Sequence, residues 1–294
     1  MKTPKISLLE WQQMFGTEGS CAETLFKYRW PNGFICPKCG HGSAWLITTR
    51  NVYQCSECRH QVSVTAGTLL HSTNLPLVKW FWAIYLVASD KGGISALRLS
   101  KHIGVSWQTA RNVLKKIRAA MADRDSLYRL LHDKIEFDDA YVGGKKPGKR
   151  GRGAGGKKPV LVAVEHKDKT AGFVAMKAVE TVSGDEIKKF LSRHLEDGRQ
   201  VRTDALPAMN IVGETHKHEK QITPPEDAST WLPLVHIVIG NLKTFLNGTF
   251  HGVTHKYLQE YLDEFCYRFN RRFWEPELPL RLLNACMAHA PIPS

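Results

Sequence analysis

Four cysteines constrain this chain more than any other feature: Cys36 and Cys39 form one CxxC pair, Cys55 and Cys58 a second, and 15 residues separate the pairs. A zinc ion takes four soft ligands in a tetrahedron at about 2.3 Å, and a two-residue gap lets one tight turn aim both thiolates at a single point. The pattern predicts a structural zinc ribbon. A module this small buries too little apolar area to fold alone, so the metal's first task is to hold it together. His60, two residues past Cys58, is expected beside the site rather than in it. Cys21, Cys266 and Cys286 stand apart. An odd total of seven excludes a disulfide framework, and the three are expected to be small buried apolar residues. Lys27, Arg29, Lys38, Arg50 and Arg59 flank the ligands and predict a basic face suited to phosphates.

With a formal net charge of +13 over 294 residues, the whole molecule attracts polyanions, nucleic acid above all. The rival, a membrane, finds no support. No uncharged apolar run of about 18 residues occurs, and the opening MKTPKISLLEWQQMF is broken by Glu10 and has no signal-peptide core. A cytoplasmic location is expected. Compositional shifts near residues 70 and 130 divide the chain into a zinc ribbon with an N-terminal helix (1–70), a helical connector (71–130) and an α/β domain (131–294).

In the connector, WFWAIYLVA predicts a buried helix, and SALRLSKHIGVSWQTARNVLKKIRAAM carries apolar residues at helical spacing, interrupted at Ile103, Gly104 and Val105. Ser106 is placed to cap the second segment, which has the layout of a helix-turn-helix. The second helix of such a motif turns its first residues toward base edges. Here Gln108, Arg111 and Asn112 offer paired hydrogen bonds to bases, while Lys115, Lys116 and Arg118 suit the phosphate backbone.

After Lys134, IEFDDAYVGG, PVLVAVEH, GFVAMKAVE and VRTDA are strand-like, SGDEIKKFLSRHLE is a capped amphipathic helix, and the chain from Leu234 is mainly helical. Asp138 and Asp139 lie in the first strand and Asp204 at the end of VRTD. Carboxylates at strand ends can bring hard oxygen ligands to Mg²⁺. Between them, residues 145–158 hold seven basic residues, no acidic ones and many glycines. Such a run cannot pack a core and predicts an arm that tracks DNA phosphates, with Lys145, Lys146, Lys149, Arg150 and Arg152 as contacts. Arg268, Arg271 and Arg272 are expected to extend that positive surface.

The order of ribbon, connector, Asp-bearing strand, basic loop, second Asp and C-terminal helices resembles the zinc-ribbon DDE insertion-sequence transposases. The likeness covers nearly the whole chain and is carried by CPKC, CSEC, TAGTLLH, KGGISALRLSKHIGVSWQTA, IEFDDAYVGGKK, RTDA, LVHIVIGNLKTFLNGTFHGV and YLDEFCYRFNRR. It implies a multidomain α/β protein with an RNase H-like catalytic domain. It selects Asp138 over Asp139, which strand alternation alone leaves open, and it selects Asp204. The pair would hold two Mg²⁺ or Mn²⁺ ions about 4 Å apart for phosphoryl transfer. Many relatives place a Glu seven residues before a Lys as third ligand. Counting back from Lys243 reaches His236, with Asn241 a neighbouring alternative of equal rank. Glu264, seven before Arg271, is a rival whose plainer role is to pair with Arg268 or Lys256. The resemblance further implies double-stranded DNA, both element ends and target, as partner, and a homo-oligomer on it. A zinc-ribbon DNA-binding regulator, a nuclease of the same fold without strand transfer, and an inactive copy are the competing readings.

Overall fold

The computed structural model describes residues 6–127, 129, 131–143, 157–222 and 228–292. They form two compact units, one of residues 1–120 and 274–294 and the other of residues 121–273.

In the first unit, α1 (Leu8–Phe15) and α2 (Glu18–Arg29) each begin with a capping box, Ser7 with Glu10 and Thr17 with Ser20, which satisfies amides that a helix start leaves unpaired. The ribbon follows as β1 (Ala44–Ile47), β2 (Val52–Cys55) and β3 (Gln61–Val62), a three-stranded antiparallel sheet in that order. The chain leaves the strand after Val62, where Arg29 reaches in to donate to the carbonyls of Ser63 and Ala66 and ties the segment into turns. Three helices complete this part: α3 (Leu77–Ser89), α4 (Ala96–Ile103) and α5 (Trp107–Ser126). Trp11 and Phe15 pack on Phe81 and Tyr85 of α3, an aromatic cluster at the centre of the unit. The chain's last helix, Leu278–Ala288, also belongs here. It packs against α3, and the Cys286 carbonyl accepts from the Leu69 amide. Its apolar residues Leu278, Leu282, Leu283 and Cys286 are buried in the first unit.

The second unit is built on β4 (Ile135–Val142), β5 (Lys158–Lys167), β6 (Thr170–Ala178), α6 (Gly184–His194), β7 (Gln200–Asp204), β8 (Lys217–Gln221), α7 (Ala228–Trp231), α8 (Pro233–Phe250) and α9 (Leu258–Asn270). Its sheet has the order β6-β5-β4-β7-β8, with the first three strands antiparallel and β7 and β8 parallel to β4. Three meandering strands followed by crossovers to two parallel ones is the RNase H-like arrangement. Alternation along β4 sorts the two faces. Ile135 and Phe137 pack with α6 and the 3-10 helix Pro207–Glu214, whereas Ala140 and Val142 pack with α8 and α9. The outer edge of β6 is covered by side-chain amides of α9. Gln259 bonds Ala178 and Met176, and Asn270 bonds both backbone groups of Val174. An edge so occupied offers no template to another strand. Among the described residues, no helix is long and apolar enough to cross a membrane.

Candidate metal centres and nucleic-acid interface

The four cysteines converge. Cys36 Sγ lies 3.6 Å from Cys58 Sγ, Cys39 Sγ lies 3.6 Å from Cys55 Sγ, and all four sulfurs fall within 4.8 Å of one another. A Zn–S length of about 2.3 Å places tetrahedral sulfurs about 3.8 Å apart, so the cage fits zinc. Two equivalent turns build it. The Gly40 amide donates to the Cys36 carbonyl and the Arg59 amide to the Cys55 carbonyl, with Gly40 at φ 76° and Arg59 at φ 57°. The left-handed residue turns each knuckle back on itself. Burial opposes ionisation of the Cys36 thiol, but hydrogen bonds from the amides of Cys39 and Lys38 and from neighbouring thiols outweigh it and draw its pKa down to about 6. A thiol that ionises easily suits a metal ligand. His60 stays outside the cage and serves through its carbonyl, which accepts from the Cys55 amide. Cys21, Cys266 and Cys286 are buried, and burial pushes their thiols up, Cys21 to about 12. Of the expected basic face, Lys38, Arg50 and Arg59 are exposed and Lys27 pairs with Glu23 at the surface. Arg29 is instead a strut to Ser63 and Ala66.

The second centre rests on the β4–β7 pair. Ile135 pairs with Val201 and Glu136 with Arg202, an offset of 66 residues that also separates Asp138 from Asp204. Carried two residues on, this register sets the two carboxylates level on adjacent parallel strands. Alternation puts Asp138 on the face that α8 covers and Asp139 on the other. Arg202, on Asp204's side of β7, lies 4.3 Å from the ring of Trp231 just before α8, so Asp204 shares the α8 face. Asp138 is buried, and its Oδ1 accepts from the Asp139 amide at 2.8 Å. Asp204 is half-buried where β7 ends, its Oδ1 accepting from the Leu206 amide at 3.2 Å. Both carboxylates are thus held by backbone beside them.

His236, Asn241 and Lys243 all lie on α8. His236 and Lys243, two turns apart, share one edge of the helix, and Asn241 is displaced by about 140° around the axis from His236. Asn241 and Lys243 are exposed, His236 half-buried. Among the described residues, the ribbon cysteines are the only three or more His, Cys, Asp or Glu side chains gathered at metal-ligand range. Glu264 is buried and faces Arg268 at 3.8 Å.

Two family models match this chain: an ISXO2-like transposase domain over residues 130–270 and a transposase zinc-ribbon domain over residues 16–61. Both describe transposases of the IS1595 group, and together they take in well over half of the sequence. The chain belongs to the IS1595 family of DDE transposases. It is also 27% identical over 219 residues to a protein in transposable element ISH50 of Halobacterium salinarum, which spans 68% of this chain and 71% of that one. Among solved structures it is similar to the catalytic domain of Mos1 mariner transposase, at 14% identity and a TM-score of 0.31 over 59% of this chain and 90% of that one. The Mos1 strand transfer complex matches at 14% identity and a TM-score of 0.29, over 70% and 76%.

In the transposase, α4 and α5 are joined by a tight turn. Gly104 takes φ 61°, Lys79 reaches its carbonyl, and the Ser106 hydroxyl caps α5 by accepting from the Thr109 amide at 3.1 Å. Gln108, Asn112 and Lys115 stand on the exposed face; Gln108 donates to Asn112 at 3.3 Å, and Arg111 lies over the exposed ring of Trp107. Two expected phosphate contacts belong to the fold instead. Lys116 turns inward to the Leu69 carbonyl and the Trp80 ring, and Arg118 is buried, because their positions fall on the packed stripe of α5. The same holds for the C-terminal arginines. Arg271 binds Asp125 at 2.6 Å, Arg272 donates to the carbonyls of Gly172, Ala171 and Phe269, and Arg268 faces Glu264. They hold α9 in place rather than widening a positive surface. The predicted arm residues Lys145, Lys146, Lys149, Arg150 and Arg152 lie outside the described residues. TAGTLLH is accounted for as a junction: its backbone receives Arg29, Lys116 and the chain's last helix, and Leu69 and Leu70 are fully buried.

Proposed function

We propose that this transposase, acting in the cytoplasm as a homo-oligomer on DNA, binds the ends of its own element and cuts and rejoins phosphodiester bonds at Asp138 and Asp204. The observation that carries the proposal is the parallel β4–β7 pairing, whose 66-residue register, continued past Glu136 and Arg202, would set these two carboxylates level under a helix that bears a neutral amide, an imidazole and a lysine. Two oxygen-donor side chains and an open strand end suit Mg²⁺ or Mn²⁺, which completes its shell with substrate phosphate oxygens. Divalent cations bound there supply Lewis-acid stabilisation to the attacking and leaving oxygens. The Asp139 and Leu206 amides hold the carboxylates in position, so little reorganisation is needed when charge develops. Water first nicks the element's end and leaves a 3′ hydroxyl, which then attacks target DNA in line. His236 or Asn241, with Lys243, contributes the remaining polar contacts from α8.

Recognition belongs to other parts. One zinc per chain keeps the ribbon folded, Gln108, Arg111 and Asn112 meet base edges, and Lys115 with the arm from Lys145 to Arg152 meets phosphates. A regulator that only binds DNA leaves the aspartate-bearing sheet without a task. The test is a nicking and strand-transfer assay on the element's end sequences with Mg²⁺, comparing wild type with Asp138→Asn and Asp204→Asn. Both variants are expected to bind those ends and neither to cut. Wild-type cleavage by either variant overturns the assignment, and nicking without joining by the wild type makes the protein a nuclease.

A further inference from the structure

α8, the helix proposed to complete the carboxylate site, has no cap of its own. Its N-cap residue is Leu232, whose side chain accepts nothing, and its first residue is Pro233, which has no amide hydrogen. The acceptor arrives from the sheet. Glu136, two residues before Asp138 on β4, is fully buried, and its Oε2 accepts from the Val235 amide at 2.8 Å. Its Oε1 lies 2.6 Å from His166 Nε2 on β5. A carboxylate at this point also meets the positive end of the helix dipole. A second tie forms one turn earlier. Trp231 Nε1 donates to the Thr203 carbonyl at 2.8 Å, and Thr203 immediately precedes Asp204.

We infer that Glu136 and Trp231 are positioning residues forming a two-point clamp, which registers α8 against the strand carrying Asp138 through one hydrogen bond and against the strand carrying Asp204 through the other. The geometry has a plain consequence. The side chains of α8 meet the two carboxylates at a distance and angle set by these bonds, not by a ligand bond of their own. Burying Glu136 is costly unless both its oxygens are engaged, and they are engaged by the helix start and by His166. A residue kept only for packing would need no charge on this face, where Ala140 and Val142 continue the strand as hydrophobics.

This inference rests on the reading that α8 serves the Asp138–Asp204 site, and its test separates the two. Full-length Glu136→Ala, Glu136→Gln, Trp231→Phe and Asp138→Asn are compared by hydrogen exchange of the α8 amides without DNA and by steady-state nicking of element ends in Mg²⁺. In Glu136→Ala, exchange in the first turn of α8 accelerates while the ribbon is unchanged. Its kcat falls about 10- to 100-fold with KM for DNA unaltered, as expected when a catalytic group is misplaced by about 1 Å. Glu136→Gln restores both, since its amide oxygen accepts from Val235 and its amide nitrogen faces His166. Trp231→Phe keeps the ring, loses the donor, and lowers kcat about threefold, in proportion to one neutral hydrogen bond. If Glu136→Ala nicks at the wild-type rate, or if folded Glu136→Gln is no better than Glu136→Ala, the clamp is wrong. If Glu136→Ala does not fold, wild-type kcat in Trp231→Phe overturns it. Wild-type nicking by Asp138→Asn instead defeats the carboxylate-site reading, and the exchange data still decide whether the clamp exists.

Discussion

The ribbon cage and the carboxylate pair are built on opposite principles. In the ribbon, all four ligands come from two short turns whose backbone bonds are local, and the sulfurs are gathered at 3.6 Å within each cross-pair. In the sheet, the two aspartates lie 66 residues apart and come onto adjacent strands only because β7 crosses over to lie parallel to β4. The first arrangement is a closed site, with no position left for substrate. Under the proposed function, the second leaves positions for substrate phosphate oxygens around its two carboxylates. A metal that holds a fold and a metal that serves a reaction want these different surroundings.

The sharpest way to break the comparison is to remove one ligand from each site and ask what is lost. Asp138→Asn or Asp204→Asn should lower Mg²⁺-dependent nicking by at least about 10³-fold, about 4 kcal/mol in the transition state, with end binding nearly intact by gel shift. Cys36→Ser should do the reverse. Binding zinc is part of folding in such a module, so zinc content, expected to be near one per chain in wild type when measured by elemental analysis, should fall together with hydrogen-exchange protection of residues 36–62 and with affinity for element ends. The unit of residues 121–273 should keep its protection. A Cys36→Ser protein with full zinc and full DNA binding would leave the ribbon with no part in recognition.

A smaller effect sharpens the open side of the comparison. His236→Ala and Asn241→Ala remove groups on different edges of α8, so one of them should lower kcat about 10- to 100-fold, the range for a residue that supports a metal site, and the other should change it little. Lys243→Ala should follow His236 if that edge faces the DNA. Glu264→Ala should instead lower the melting temperature, since it removes a fully buried carboxylate that faces the half-buried Arg268 at 3.8 Å. Equal, wild-type rates in all of them would mean that α8 supplies no third group.

What the sequence made legible follows the same divide. Local chemistry was readable: the CxxC spacing, the capped helices, the turn at Gly104 and the strand-like runs around Asp138 and Asp204. What depends on distant packing was not. β8, with the sequence KHEKQ, has no apolar alternation and is a strand only because β7 pairs with it. Arg118 and Arg271 read as positive surface, yet one is buried and the other pairs with Asp125, since a charge shows nothing of its partner from elsewhere in the chain. The helix at Leu278–Ala288 continues the C-terminal helices in sequence but packs with α3. Glu136 escaped notice because a buried carboxylate two residues from a catalytic candidate looks like one more acidic residue until the helix it caps is in view.

The smallest expected effect concerns the basic run between Lys145 and Arg152. Replacing Lys145, Lys146, Lys149, Arg150 and Arg152 together by Ser should flatten the salt dependence of nonspecific duplex binding, measured as the slope of log affinity against log salt. Each phosphate contact contributes about 0.9 to that slope through counterion release, so five lost contacts predict a change of up to about 4.5, and fewer if only some residues touch DNA at once. At low salt the affinity loss should be largest, because the Debye length is longest there. Base preference at the element end should not move if, as proposed, these side chains meet phosphates while Gln108, Arg111 and Asn112 meet base edges. The measurement also bears on the contrast between the two sites. Under the proposed function, the basic run after β4 supplies affinity where the carboxylates supply none, which would let Asp138→Asn bind without cutting. An unaltered slope in the neutralised arm would move that affinity to the ribbon and α5, and Asp138→Asn would then bind only as tightly as those two modules allow.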